Sequence, residues 1–240
     1  MKLVSYNEEN VNIGDLLQTL TLQNFIKNNY KDIIIDGYSD HSLLESEYKV
    51  IINGCHRNEI LPSESIFIGI HTDYTKLQNI KNDTLIGCRD MFTLNEVKKN
   101  KNINGIFSGC SVITIPFYDG KRNGGIVEKI EENYISGTKN FDEKLKLAND
   151  LIEELKLKEL VVTNKLHIAM ICIAVGTPVI ITQRNIQKEQ FSIFNNFKEF
   201  LGYNKTITRE SGLKEKMEKV FKEAFEEIIF THNIKLLSQK

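Results

Sequence analysis

The sequence predicts an α/β fold built on parallel sheets. Short apolar runs recur through the first half of the chain, and they lack the alternation that strands with one solvated face show. Strands buried on both faces of a parallel sheet have this pattern, and segments long enough for crossover helices separate the runs. The runs cover residues 2–6, 33–35, 50–52, 66–70, 85–87 and 106–108.

The first crossover is predicted to be a helix over residues 15–26, where leucines and a phenylalanine share one face. The most loop-like segment of the chain, residues 119–125, follows soon after Pro116. We therefore predict two Rossmann-like parallel-sheet lobes that face a cleft. The N-terminal α/β lobe covers residues 1–118, the linker covers 119–125, and the C-terminal lobe covers 126–240.

The second lobe is predicted to repeat the α/β pattern. A strand over 125–130 precedes a helix that carries apolar residues from Phe141 to Leu155 at helical spacing. The strand 160–163, the helix 166–175 and the strand 178–182 follow. From Gly212 onward, one long amphipathic helix either packs back across both lobes or forms a dimer contact, and the pattern leaves both open.

Composition limits the class of partner. The 31 Lys and Arg residues nearly balance the 32 Asp and Glu residues, for a net charge of -1. Nothing global therefore attracts nucleic acid or an anionic membrane. The four cysteines form no C-x-x-C pair and are expected to be reduced thiols. With no apolar run near ~20 residues, we expect a cytoplasmic protein without a targeting or transmembrane segment.

An anion site is predicted where the strand 160–163 opens into a helix. Asn164 and Lys165 lie at that opening, and His167 lies in the first helical turn. Free backbone N–H groups and the positive end of the helix dipole favour an anion there. The dipole and Lys165 should also keep His167 neutral, with a pKa near or below about 6.5. The alternative is a solvated lysine beside a histidine with an ordinary structural role.

The carboxyl ends of the other strands supply further candidates, since ligands of parallel α/β sheets bind at that edge. Each also has an ordinary explanation: a helix cap, an ion pair of Arg89 with Asp90, or a turn glycine. Their convergence on one edge favours a site. No P-loop, G-x-G-x-x-G, H-E-x-x-H or G-x-S-x-G motif occurs. The candidates are Asp15, Asn53, Gly54, His71, Arg89 and Gly109.

At these residues the chain resembles the polysaccharide pyruvyl transferase family. The likeness runs in order from about residue 4 to about residue 182, through the segments 12–15, 52–54, 86–110 and 161–179. The resemblance implies a two-domain fold similar to B-type glycosyltransferases. It also implies transfer of the enolpyruvyl unit of phosphoenolpyruvate to a sugar, which forms a ketal. Arg89 matches the arginine that engages the donor, and Lys165-Leu166-His167 matches an Arg-Leu-His element with a catalytic histidine.

Three hypotheses about function follow. The first is a transferase that moves a pyruvyl group from phosphoenolpyruvate to a saccharide or lipid-linked sugar, with His167 and Arg89 as catalytic residues and no cofactor or metal. The second is a glycosyltransferase that uses a nucleotide sugar. The third is a non-catalytic saccharide-binding relative or assembly subunit, motivated by Lys165 in place of arginine and by the short chain. A homo-oligomer is compatible with all three.

Overall fold

The computed structural model describes residues 2–4, 10–35, 38–39, 50–56, 61, 65–128, 134–136, 141–182 and 188–232. The elements of the first half, in chain order, are β1 Lys2–Val4, β2 Asn10–Asn12, α1 Ile13–Asn29, β3 Tyr38–Ser39, β4 Val50–His56, β5 Ile66–Thr72, β6 Leu85–Cys88, α2 Met91–Val97 and β7 Asn104–Phe107. Those of the second half are β8 Ile126–Glu128, β9 Tyr134–Ser136, α3 Phe141–Leu157, β10 Leu160–Thr163, α4 Leu166–Val175, β11 Val179–Ile181, α5 Lys188–Phe191, β12 Thr206–Ile207 and α6 Leu213–Thr231.

The first sheet has the strand order β3-β1-β4-β5-β6-β7, and each neighbouring pair is parallel. Every residue of β5 is buried, as expected of a strand covered on both faces. The α/β class with a parallel sheet is therefore confirmed. In the second sheet β8, β10 and β11 are parallel, and β12 runs antiparallel to β11.

The predicted strand at residues 33–35 is wrong. Ile33 donates its N–H to the carbonyl of Tyr30 in a turn that follows α1, and Ile34 is 67% exposed. This local turn takes the hydrogen bond that a sheet partner would need. The paired strand of this region is β3, which lies further along the chain.

All ten residues of helix α4 are buried. The apolar run that forms this helix therefore needs no polar face. It ends at Gly176, which adopts the left-handed conformation with φ 79°. Thr177 N–H then bonds the carbonyl of Cys172 at 2.9 Å, which satisfies a terminal carbonyl of the helix. A methyl group at Gly176 would also come 3.1 Å from the Phe117 ring.

The terminal helix α6 packs back across the molecule. It contacts β5, β6 and β7 of the first sheet, and it also contacts α4. Phe221 and Phe225 meet the ring of Phe25 edge-on, each with centroids 5.3 Å apart. Of the two alternatives for this helix, packing across the molecule and a dimer contact, the apolar face of α6 is therefore used for the first.

The two larger sheets of the described residues lie on either side of residues 107–126 in the sequence, but the hydrophobic core is continuous across them. The antiparallel pair β2 and β9 also joins the start of α1 to the second half. The division into lobes at 1–118 and 126–240, with a cleft between them, stays a prediction. No helix in the described part of the chain is long and apolar enough to span a membrane.

Replacing Phe225 with alanine should lower the free energy of unfolding by about 3–5 kcal/mol, because its ring is 1% exposed and is packed against α1. Phe230 of the same helix is 79% exposed, so Phe230→Ala should stay within about 0.5 kcal/mol of the parent. Urea denaturation of the three proteins measures both effects. Equal losses in the two variants would contradict the packing of α6.

Candidate functional site

Asp90 lies at the centre of the buried polar groups at the carboxyl edge of the first sheet. As the N-cap of α2 it accepts hydrogen bonds on Oδ1 from the Thr93 N–H at 2.9 Å and the Thr93 hydroxyl at 3.0 Å. Its Oδ2 lies 2.6 Å from His71 Nδ1 and 3.4 Å from Arg89 Nε. Burial opposes its charge, but the hydrogen bond from His71 and the charge of Arg89 outweigh it and lower the pKa of Asp90.

Arg89 directly follows β6, and it is 0% exposed. Its N–H donates to the carbonyl of Ile70 at 2.8 Å, which ties the residue to the end of β5. Burial works against its charge, but Asp90 and other neighbours hold the pKa of Arg89 above its ordinary value. Among the residues that the structure describes, Nη1 and Nη2 have no hydrogen-bond acceptor. The side chain is thus a buried cation whose two terminal nitrogens donate to none of the described residues.

His167 lies in the first turn of α4 and packs directly against Gly14 at the start of α1. A methyl group at Gly14 would lie 1.9 Å from His167 Nδ1, so only glycine leaves room for the imidazole ring. Burial, followed by the positive fields of Arg89 and His71, lowers the pKa of His167 to about 3. The expected direction of the shift was correct. Its cause is mainly burial rather than the helix dipole and Lys165.

Asp15 joins the same group of side chains from the first turn of α1. Its Oδ1 accepts a hydrogen bond from Gln18 Nε2 at 3.2 Å, and its charge contributes to the raised pKa of Arg89. The ends of β5 and β6 and the starts of α1, α2 and α4 therefore bring five side chains together, and we call them the strand-end cluster. Its members are Asp15, His71, Arg89, Asp90 and His167.

Asn53 and Gly54 lie within β4, on the strand that pairs with β5. The pairing register shifts between Ile52 and Gly54, and Gly54 has φ 99°, which a side chain would strain. Beyond this irregularity Cys55 pairs with His71, so it lies beside the strand-end cluster. The predicted tight turn at Gly54 is wrong, because β4 continues through this residue to His56 and the glycine lies at an irregularity in the strand pairing.

Gly109 follows β7 with φ 71°. The preceding residue, Ser108, follows β7 and connects it to two other strands: its hydroxyl accepts from the Gly69 N–H of β5 at 3.1 Å and donates to the Cys88 carbonyl of β6 at 3.1 Å. Ser108 was not among the sequence candidates, because a serine after a strand is common and only the fold shows what it contacts.

Lys165 and Asn164 are half-buried at the end of β10. The Lys165 N–H donates to the hydroxyl of Thr163 at 3.0 Å. No ion pair joins the Lys165 ammonium group to any residue in the described ranges, and its role as a donor ligand stays a prediction. Within those ranges, no three His, Cys, Asp or Glu residues are grouped to hold a metal ion.

His167 should make stability depend on pH. Its pKa is about 3 in the folded protein against 6.5 for the ordinary side chain, so below about pH 6.5 the unfolded chain binds a proton that the native state does not. Stability is then full above that pH and falls as the pH drops toward 3. Between pH 7 and pH 5 this should cost about 2 kcal/mol.

Urea denaturation at the two pH values measures this loss, and His167→Gln should abolish it. His232→Gln, at the end of α6, is the matched control and should keep it. Asp90 interferes little, because a lowered carboxyl pKa removes stability only below its ordinary value of 3.8. If His167→Gln lost as much stability at pH 5 as the parent, the buried neutral histidine would be excluded.

Comparison with known proteins adds little to this geometry. No protein-family model and no curated protein matches the chain. Among solved structures it is similar to an uncharacterized protein from Klebsiella pneumoniae subsp. pneumoniae NTUH-K2044, at 17% identity and a TM-score of 0.47, over 84% of this chain and 90% of that chain. So distant a likeness says nothing about activity, which has to be argued from the site.

Proposed function

We propose that the strand-end cluster binds the anionic donor of a transfer reaction. The supporting observation is the Arg89 guanidinium, which is fully buried and has no acceptor on Nη1 or Nη2 among the described residues. A buried donor left without a partner costs about 1–3 kcal/mol, and more when it is charged. A carboxylate or phosphate that accepts two parallel hydrogen bonds would remove that cost.

The rest of the cluster prepares Arg89 for this role. Asp90 contacts only Nε, so it orients the guanidinium and leaves the two terminal nitrogens for a ligand. Thr93 and His71 in turn hold the Asp90 carboxylate. A guanidinium anchored in this way loses little side-chain freedom on binding, which favours affinity.

Access to the cluster requires movement. Arg89 is 0% exposed and His167 is 5% exposed, so a donor reaches them only when the side chains that cover them move aside. Their return would exclude water from the bound donor, which strengthens electrostatic interactions within the site.

The resemblance to pyruvyl transferases makes phosphoenolpyruvate the proposed donor and a saccharide or lipid-linked sugar the acceptor. A proton adds to the methylene carbon, one sugar hydroxyl adds to the adjacent carbon, and a second hydroxyl displaces phosphate. The two hydroxyls release two protons, one of which replaces the proton consumed and the other of which leaves with the phosphate.

His167 is proposed to move the proton in this sequence. Without a donor it is neutral, because burial and the charges of Arg89 and His71 lower its pKa. A trianionic donor on Arg89 would cancel much of this positive field and raise the pKa again. Protonation of His167 would thus be coupled to donor binding.

Phosphoenolpyruvate should raise the midpoint of thermal unfolding of the parent protein, since a ligand that binds only the native state stabilises it. Arg89→Lys keeps the charge but loses the fork that binds an anion at two points. We expect its affinity to fall by about tenfold to a hundredfold, equivalent to about 1.4–2.8 kcal/mol.

Arg122→Lys is the matched control for this experiment. Its guanidinium contacts the carbonyls of Tyr118 and Val175, which lie outside the cluster, so donor affinity should not change. A thermal response to nucleotide diphosphates and none to phosphoenolpyruvate would favour the nucleotide-sugar glycosyltransferase instead. Donor binding without phosphate release under any acceptor would indicate the non-catalytic relative.

His167→Gln should lower the rate of phosphate release from phosphoenolpyruvate by about a hundredfold to ten-thousandfold, the usual range for a lost proton-transfer group. His167→Ala should lower it similarly, and because it leaves a gap beside Gly14 it should also destabilise the fold. His232→Gln should retain the parent rate. Near-parent turnover in His167→Gln would remove His167 from catalysis.

A further inference from the structure

A cavity of about 440 Å³ lies between helices α1, α3 and α6, and we call it the helix pocket. Its volume falls within the ~300–1,000 Å³ typical of small-molecule sites. Asn24 lines it from α1, nine residues after Asp15, or about 14 Å along a helix. No member of the strand-end cluster lines it, so the helix pocket is a separate site.

The floor of the helix pocket is apolar. It is lined by Leu20 and Phe25 of α1, by Ile152 of α3 and by Ile115 of the segment between β7 and β8, and all four residues are buried. These residues come from both halves of the chain, so an occupant would contact both. The apolar floor favours a ligand with at least one face of C–H groups.

The rim of the helix pocket is rich in asparagine amides. Asn29 and Asn149 donate their Nδ2 groups to main-chain carbonyls of their own helices, at 2.8 and 3.1 Å. Their Oδ1 atoms therefore remain as acceptors. Asn24 and Asn28 also line the pocket, and neither side chain has a hydrogen-bond partner within the described residues. The rim can both donate and accept hydrogen bonds.

The charges around the pocket largely cancel. Lys156 pairs with Glu153, Glu218 pairs with Lys214, and Lys219 lies 3.7 Å from a carboxylate of the same helix. Among the described residues, this leaves Lys222 as the lining ammonium group without an ion pair. The C-terminal ends of α1 and α3, with their partial negative charge, lie at the same place. The field therefore favours neither a strongly anionic nor a cationic ligand.

We infer that the helix pocket binds a small neutral polyhydroxylated molecule, a mono- or disaccharide. Sugar hydroxyls donate to the amide oxygens and accept from the amide and ammonium N–H groups, while the C–H face of the ring packs on the apolar floor. The assignment is independent of the proposed function, because it uses none of the residues that would hold the donor.

Saturation-transfer NMR with methyl glucoside, methyl galactoside and lactose tests this inference on the intact protein. Asn24→Leu and Asn149→Leu remove rim amides at exposed helix positions, where folding should be retained. Asn102→Leu is the matched control, since Asn102 is exposed in the turn after α2 and lies outside the pocket. Arg89→Lys reports on the strand-end cluster. Circular dichroism confirms that each variant is folded.

At least one of the three sugars should bind the parent protein. Each pocket variant should weaken that affinity by about tenfold or more, whereas Asn102→Leu and Arg89→Lys should retain it. The inference is overturned if no sugar binds at about 10 mM, or if binding survives both pocket changes. Loss of sugar binding in Arg89→Lys alone would place the sugar at the strand-end cluster and also overturn it. A failure of phosphoenolpyruvate to bind would leave this outcome unaffected.

Discussion

The buried carboxylate of Asp90 is the interaction on which the rest of the site depends. It caps α2, holds His71 from β5 and orients Arg89 at the end of β6. Removing one partner of a buried ion pair commonly costs about 3–5 kcal/mol, because the other charge is left uncompensated. In this protein the charge of Arg89 is tolerated at zero exposure because Asp90 is present, and the orientation of its two terminal nitrogens follows from that contact.

A second constraint connects the site to both halves of the chain. His167, at the start of α4, fills the space that Gly14 leaves at the start of α1. The starts of the two helices therefore approach as closely as backbone and ring allow. Further contacts join the two halves of the chain. The Phe92 N–H of α2 donates to the Ser192 hydroxyl at 3.0 Å, and α6 crosses from the second half onto the first sheet. Substitutions that change the packing of α1 against α4 should therefore change the geometry of the strand-end cluster.

The two candidate ligand sites differ in the way their polar groups are used. In the strand-end cluster, charged side chains are buried and bound to one another, so their fields are strong and their pKa values are shifted. In the helix pocket, amides and paired ions surround an apolar floor at a partly exposed junction, where charge is screened. The first arrangement suits an anion and proton transfer, whereas the second suits a neutral ligand held by hydrogen bonds. Helix α1 contributes to both.

The sequence by itself determined the α/β class, the parallel strands and the placement of His71, Arg89 and His167 at element ends, because periodicity and turn residues act locally. Only the tertiary structure decided that residues 33–35 form no strand, that α6 packs on the first sheet, and that Asp90 and Ser108 tie several strands together. It also decided that burial keeps His167 neutral. Desolvation and partner choice depend on groups distant along the chain, and no local pattern records them.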